Sequence, residues 1–595
     1  MKKNYYRTSI IVLLILRLNE FTKKSKLIRS ALLNLTSFAN RKPIKIQYIS
    51  VLVIISNILN AQLSELGNLN LGEVHGNFQT DAQYYVADSS IGAKPAPEKM
   101  LMNGFANIIY TKGKFTAGIR YESYLNVRQG FDSRYQGTGI PYRYATYKSD
   151  QLEVTVGSFY QQFGNGFILR SYEDRGLGFD NALDGIRLKY EVFKGIYLTG
   201  LTGKQRSFMT QGPGIVRGFD GEIQLNDAIK YMSEKKLIIT IGGSFVSRYQ
   251  KDENQTLVLP ENVGASAARF KISRNNFAIN GEYAYKINDP NAANGYVYKP
   301  GEAILLAANY AKKGLAISAS ASRTDNMNFR SDREASVNNL LINYTPALCK
   351  QHTYSLMSFY PYSSQPNGEY QFSGEVSSKI LKKSNHKLDI TLNYSGSNNL
   401  DTTHLNHITD STLQGYQINS YNIGKTLLYR DFYIEVNQKF GKKIKLSVMY
   451  SHQQYNNKYL KGASDAGSVT IYSHIAVADI TYKIKSEKAI RIELQHLSTK
   501  QDKQNWAYAL AEYTINSNWF VAVLDQYNYG NKHADANGSY DKRFHYYNLS
   551  AGYNKNANRI TLSYGKQRAG IFCVGGICRQ VPASNGITLS ITSSF

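Results

Sequence analysis

From Leu69 onward the chain alternates apolar and polar residues with a period of two. Phe115, Ala117, Ile119 and Tyr121 interleave with Thr116, Gly118, Arg120 and Glu122. Ile444, Leu446, Val448 and Tyr450 interleave with Lys445 and Ser447, and Ile490, Ile492 and Leu494 with Arg491, Glu493 and Gln495. The same rhythm runs through Ile560–Tyr564 and Ile587–Ile591. Successive side chains of a strand point to opposite faces, so each stretch has one greasy face and one polar face. No segment sustains a helical period. Two architectures can hide that many greasy faces. A soluble sandwich or propeller buries them, whereas a transmembrane barrel turns them to lipid and its polar face to a lumen.

The links between stretches favour the barrel. Short ones, such as Lys112-Gly113, Lys194-Gly195, Asn275-Asn276 and Asn556-Ala557, tend to alternate with long ones at roughly 161–183, 250–265, 325–337, 396–424 and 568–584. Short turns at one rim and long loops at the other characterise outer-membrane barrels. A propeller would repeat every 40–50 residues, and no such repeat occurs. Spacing predicts an all-β, large antiparallel transmembrane barrel of about 24–26 strands with no separate plug domain. Its edges must close, because hydrocarbon offers no partner to a free backbone N–H or C=O.

Composition agrees. The 595 residues include 47 Tyr and 46 Gly but only 12 Pro and 3 Cys. That is too aromatic for disorder and too poor in cysteine for a disulfide scaffold. Tyr suits the interfacial girdles of a barrel. No apolar run after residue 61 is long enough for a membrane helix.

The amino terminus reads as an address. Arg41, Lys42 and Lys45 precede an apolar stretch at about 46–59, and Leu59-Asn60-Ala61 supplies a small residue for cleavage after Ala61. Residues 1–61 are thus a leader with a secretory signal, and 62–595 the barrel. Residues 1–40 read as an over-long start or an extended n-region. The leader holds 11 Lys or Arg and one Glu, so 16 of the 26 net positive charges belong to the remaining 534 residues.

Several features are candidates for function. The Gly157–Leu188 segment combines six glycines with Arg170, Glu173, Asp174, Arg175, Asp180 and Asp184. It reads either as a loop whose Arg–carboxylate pairs fix its shape or as a constriction folded into the lumen. Arg120, Lys445 and Arg491 lie on polar strand faces, which in a barrel look inward. With the net charge they predict a cationic lumen or rim favouring anionic solutes. Cys573-x4-Cys578 brackets two glycines in the last long link and can close a small disulfide ring in an oxidising compartment. Cys349 stands alone in what reads as a short link. No catalytic motif, metal-ligand set, cofactor signature or nucleic-acid module appears.

The Gly157–Leu188 segment, the loop FCVGGICRQVPASNG (Phe572–Gly586) and the terminal Phe595 together resemble a family of unknown function of outer-membrane β-barrel proteins found in Bacteroidota. The resemblance covers residues 62–595, and the cut before Gln62 is typical of exported proteins of that phylum. It implies a porin-like barrel with Phe595 ending a C-terminal assembly signal. It brings no catalytic residue.

The expectation is a non-enzymatic, porin-like outer-membrane channel for small solutes, with Arg170, Glu173, Asp174 and Arg175 as its filter. The alternative is a structural or surface-interaction barrel whose long loops bind polysaccharide or a partner protein. Expected partners are outer-membrane lipid and lipopolysaccharide and the barrel-assembly machinery, with no cofactor and no nucleic acid.

Overall fold

A computed structural model describes residues 72–336, 338–381, 386–404, 415–461, 470–531, 543–574 and 577–595. The leader and the cleavage site after Ala61 lie outside the described residues. Among the described residues, 24 strands form one sheet in which each strand pairs antiparallel with its neighbours in sequence. The first strand, Glu73–Tyr85, pairs with the last, Ser584–Ser594, from Asn77↔Ser594 to Tyr85↔Gly586, and the sheet closes into a barrel. Gly76 and Phe595 exchange two backbone hydrogen bonds at 2.9 Å each. A Cβ at Gly76 would collide with the Phe595 ring, so the terminal aromatic lies directly over this glycine.

Alternation explains the wall. Ile119, Val156, Ile186, Phe219, Leu306, Leu392, Leu494, Leu549 and Leu562 are each more than 40% exposed and point outward around the whole circumference. Their sequence neighbours Arg120, Thr155, Asn393, Glu493 and Gln495 point inward and are buried. An exposed apolar belt of this extent requires hydrocarbon around it.

The strand count lies within the expected range, but some links differ from the sequence reading. The expected long link at 325–337 runs from 326 to 367, between strands Leu315–Asp325 and Gly368–Leu381. Its apolar residues, such as buried Leu340 and Ile342, imitate a strand because they pack inside the lumen. Cys349 therefore belongs to a long connection, where it is a free, buried thiol. The link expected at 396–424 shrinks to 405–415, because strands His386–His404 and Tyr416–Phe440 extend beyond the usual length. Short and long links alternate with two exceptions. The link at 208–209 is tight on the long-loop rim. The link at 225–236 carries two one-turn helices, Leu225–Ala228 and Lys230–Ser233, on the short-turn rim.

There is no separate plug domain among the described residues. Instead, two of the barrel's own connections, 160–182 and 326–367, fold into the lumen.

Candidate functional site

The first in-folded connection is fixed by charge. Arg120 and Glu122 are two apart on one strand, so both face inward. Arg120 bonds Glu122 at 2.7 Å and Glu173 at 2.9 Å, and also pairs with Asp180. Arg206, from the strand Ile196–Ser207, holds Glu122 at 2.6 Å and Asp180 at 2.7 Å. Arg175 closes on Glu173 at 2.7 Å. Three guanidinium groups thus meet three carboxylates. Tyr160 adds a hydroxyl to Asp180 at 3.1 Å, and burial pushes its phenol pKa up. Free space among these groups and the rings of Phe105, Tyr124 and Tyr135 is about 10 Å³.

Elsewhere the same connection is held by its backbone. Glu282, facing inward, accepts from Asn165 N at 2.6 Å and Asn165 Nδ2 at 2.7 Å. Gly164, at φ +51°, passes so close to that carboxylate that a side chain would strike it. Phe163, Phe167, Ile168 and Leu169 are almost wholly buried. They pack with Met327, Phe329 and Ile342 of the second connection against inward Val216, Val246 and Ala284. Arg170 lies between the rings of Tyr172 and Tyr344, 4.4 and 4.0 Å from their centroids.

The second connection continues across the other half of the lumen. Its Leu356 N donates to Gln495 Oε1 at 2.8 Å, and Met357 O accepts from Gln453 Nε2 at 2.9 Å. His352 Nε2 meets Asp431 at 2.7 Å, and Tyr354 donates to Asp479 at 3.0 Å. Tyr362 donates to buried Glu369. Around Leu356, Met357 and Tyr360 lie Tyr429, Tyr455, Leu497 and Trp506, forming an aromatic core inside the barrel.

Between this connection and the C-terminal wall remains a cavity of about 790 Å³. Ser355 and Ser358 face it from the connection, Tyr508, Gln526 and Asn548 from three strands, and Arg568, Ile571 and Val581 from the last long link. No Asp or Glu lines it among the described residues. Lys566 reaches out to Asp88 at 2.7 Å. Of the basic groups lining the cavity, Arg568 makes no ion pair among the described residues. Its guanidinium lies 3.9 Å over the Phe359 ring, and burial pulls its pKa down to about 10.

The residues expected from sequence are distributed unevenly. Arg120, Glu173, Arg175 and Asp180 come together in the ionic cluster. Asp174 instead caps the turn, accepting from Leu177 N at 2.9 Å. Asp184 sits apart with Arg143 at 3.1 Å and Gln211 at 2.6 Å. Arg491 faces the lumen far from the cluster, bound to Asp479 at 2.9 Å and to Glu493. Lys445 is exposed near the short-turn rim and makes no ion pair among the described residues. The inward Arg120 and Arg491 are thus compensated by acids. Sequence reasoning missed Glu122, Arg206 and the whole C-terminal cavity. For Glu122 a signal existed, the Arg-x-Glu spacing on one strand face.

In the last long link, Gly570–Val574 and Ile577–Val581 form a two-stranded ribbon in which Cys573 is directly opposite Cys578. The side chains of both cysteines lie outside the described residues. Among the described residues no cluster of three or more His, Cys, Asp or Glu is placed to hold a metal.

A family model described as a family of unknown function, DUF6029, matches residues 44–595. No curated protein matches the sequence significantly. Solved structures similar to the chain include the siderophore receptor PirA from Pseudomonas aeruginosa, at 8% identity and a TM-score of 0.38, with 88% of this chain and 80% of that chain covered. OccAB3 from Acinetobacter baumannii is similar at 10% identity and a TM-score of 0.30, covering 89% of this chain and all of the other. A BenF-like porin from Pseudomonas fluorescens Pf-5 gives 9% and 0.30 over the same shares.

Proposed function

The chain belongs to the DUF6029 family of unknown function, and we propose that its barrel is a porin-like, non-enzymatic channel of the outer membrane for small, anionic solutes. The observation that carries this reading is the cavity of about 790 Å³ within a lipid-facing wall. Its lining mixes apolar and polar side chains, includes no Asp or Glu among the described residues, and is shared between an in-folded connection, the wall strands and the last long link. A barrel acting only as a scaffold for external loops has no use for such a space. The apolar belt and closed sheet support a place in the outer membrane, where barrels of this kind span hydrocarbon. A signal cleaved after Ala61 is the proposed route there, and Phe595, held against the first strand, the proposed end of the assembly signal.

In this reading the two connections are constrictions. The ionic cluster pins 160–182 to the wall on one side, and passage runs beside 345–363 on the other. The test is planar-bilayer recording of the purified barrel. Discrete, anion-favouring conductance is expected, and replacing residues 345–363 by a short Gly/Ser linker is expected to raise it. A silent protein whose shortened variant is also silent overturns the proposal.

A further inference from the structure

The C-terminal cavity carries more than a passage. We propose that it is a binding site for a hydroxylated monocarboxylate, a sugar acid, with Arg568 as the anchor for the carboxylate. The proposal deepens the channel reading and rests on it for the route by which solute arrives.

Charge gives the first part of the argument. Three basic groups border the cavity. His352 is bound to Asp431 at 2.7 Å and Lys566 to Asp88 at 2.7 Å. Arg568 alone of the three makes no ion pair among the described residues and feels Asp502 only at a distance, in a lining without carboxylates among the described residues. A buried charge without a partner is costly, so a site keeping one invites a counter-charge from its ligand. One cation matches one anionic group.

Geometry gives the second part. Phe359 supports the flat guanidinium from below at 3.9 Å, and Nη1 donates to Ala569 O at 3.3 Å. The remaining N–H groups are uncommitted among the described residues. A guanidinium fixed by its face presents its edge, and two parallel N–H donors fit a carboxylate.

The neutral lining gives the third part. Gln526 Nε2 is buried and has no hydrogen-bond partner among the described residues. Asn548, Ser355 and Ser358 add donors and acceptors, and Tyr508 and Tyr546 add aromatic faces with hydroxyl tips. Groups of this kind suit a ligand rich in hydroxyls, and a volume of about 790 Å³ lies within the range of small-molecule sites.

The test uses the whole barrel in detergent, with glucuronate and glucose as probes of equal size and different charge. The chain has two tryptophans, and Trp506 is 5.1 Å from Phe359, the ring beneath Arg568. A Trp519→Phe background therefore leaves a fluorescent reporter beside the cavity. Glucuronate is expected to bind about tenfold or more tighter than glucose. Arg568→Gln is expected to erase that preference, and Arg568→Lys to keep only part of it. Equal affinities in the parent protein, or a preference that survives Arg568→Gln, overturns the proposal. If Arg568→Gln does not fold, Arg568→Lys decides, and an undiminished preference there overturns the anchor. Binding is read without current. Glucuronate binding in a barrel that is silent in bilayers removes the channel reading and leaves the site. A conducting barrel without the preference removes the site alone.

Discussion

The two halves of the lumen are filled by the same device and end in opposite states. In the N-terminal half, the connection at 160–182 brings Glu173, Arg175 and Asp180 to a wall holding Arg120, Glu122 and Arg206, and about 10 Å³ remains. In the C-terminal half, the connection at 345–362 meets wall acids at Asp431, Asp479 and Glu369 on one side, but the space on its other side is lined by no Asp or Glu among the described residues, and about 790 Å³ remains around one cation without an ion pair. Charge balance decides the difference. Three cations and three anions can satisfy one another and exclude water, so the site seals. A single cation has nothing to close upon. A barrel can thus use one part of its lumen as structure and keep another for a ligand, with the acids as the switch between them.

The largest effect should come from unbalancing the sealed side. Arg206→Ala removes the partner of two buried carboxylates and is expected to cost about 3–5 kcal/mol in urea unfolding. Arg568→Gln removes an unpaired cation and is expected to be neutral or stabilising. Equal losses for the two would break the contrast. Next, Leu356→Ala opens a void in the aromatic core that seats the second connection, at about 2–5 kcal/mol. Limited proteolysis should then cut within 345–363 while the strands resist. Cleavage spread over all loops would mean that the connection is not seated separately.

A smaller effect concerns the ribbon over the cavity. Cys573 and Cys578 are cross-strand partners, and paired antiparallel residues have Cα atoms about 4.5–5.5 Å apart, within disulfide range. We expect the bond to form and to add about 2 kcal/mol through ring closure. Alkylation without reductant should then label neither cysteine, nor buried Cys349 until the barrel unfolds. Labelling of Cys573 and Cys578 in the unreduced protein would reject the bond.

How much of this was legible in the sequence follows from where each contact arises. The wall was readable because outward Ile119 and inward Arg120 are neighbours, and alternation is a local property. The extent of the 326–367 connection was not readable, because it carries apolar residues such as Leu340 and Ile342. Such residues look alike whether they face lipid or a core built inside the lumen. Part of the ionic cluster was readable, since Glu173, Arg175 and Asp180 share a short segment. Arg206 was not, because it reaches Glu122 only through the curvature and register of intervening strands. The cavity was least accessible, as its walls come from one connection, four strands and the last link. The histidines repeat the lesson. His452 and His474 lie on separate strands, and pairing places their rings 4.5 Å apart on the lipid-facing side.

The smallest effect tests whether the C-terminal cavity owes its single charge to its surroundings. Lys566 would be a second cation there if Asp88 did not hold it at 2.7 Å. Lys566 and Ser90 keep the Asp88 carboxyl below the ordinary carboxylate range. A depressed folded-state value means that the tie is complete above that range and is lost only as pH falls through the lowered value. Between pH 5 and 8 Lys566 therefore stays tied to Asp88, and in a His352→Gln variant, which removes the imidazole bordering the cavity, glucuronate affinity should be flat with pH. Asp88→Asn releases Lys566 at every pH. For a solvent-accessible pair the gain in attraction is modest, so glucuronate affinity should rise by up to about fivefold, with glucose unchanged. An equal rise for both sugars would mean that Asp88 shapes the cavity rather than its charge. A fall would mean that Lys566, held in place by Asp88, already contacts the solute.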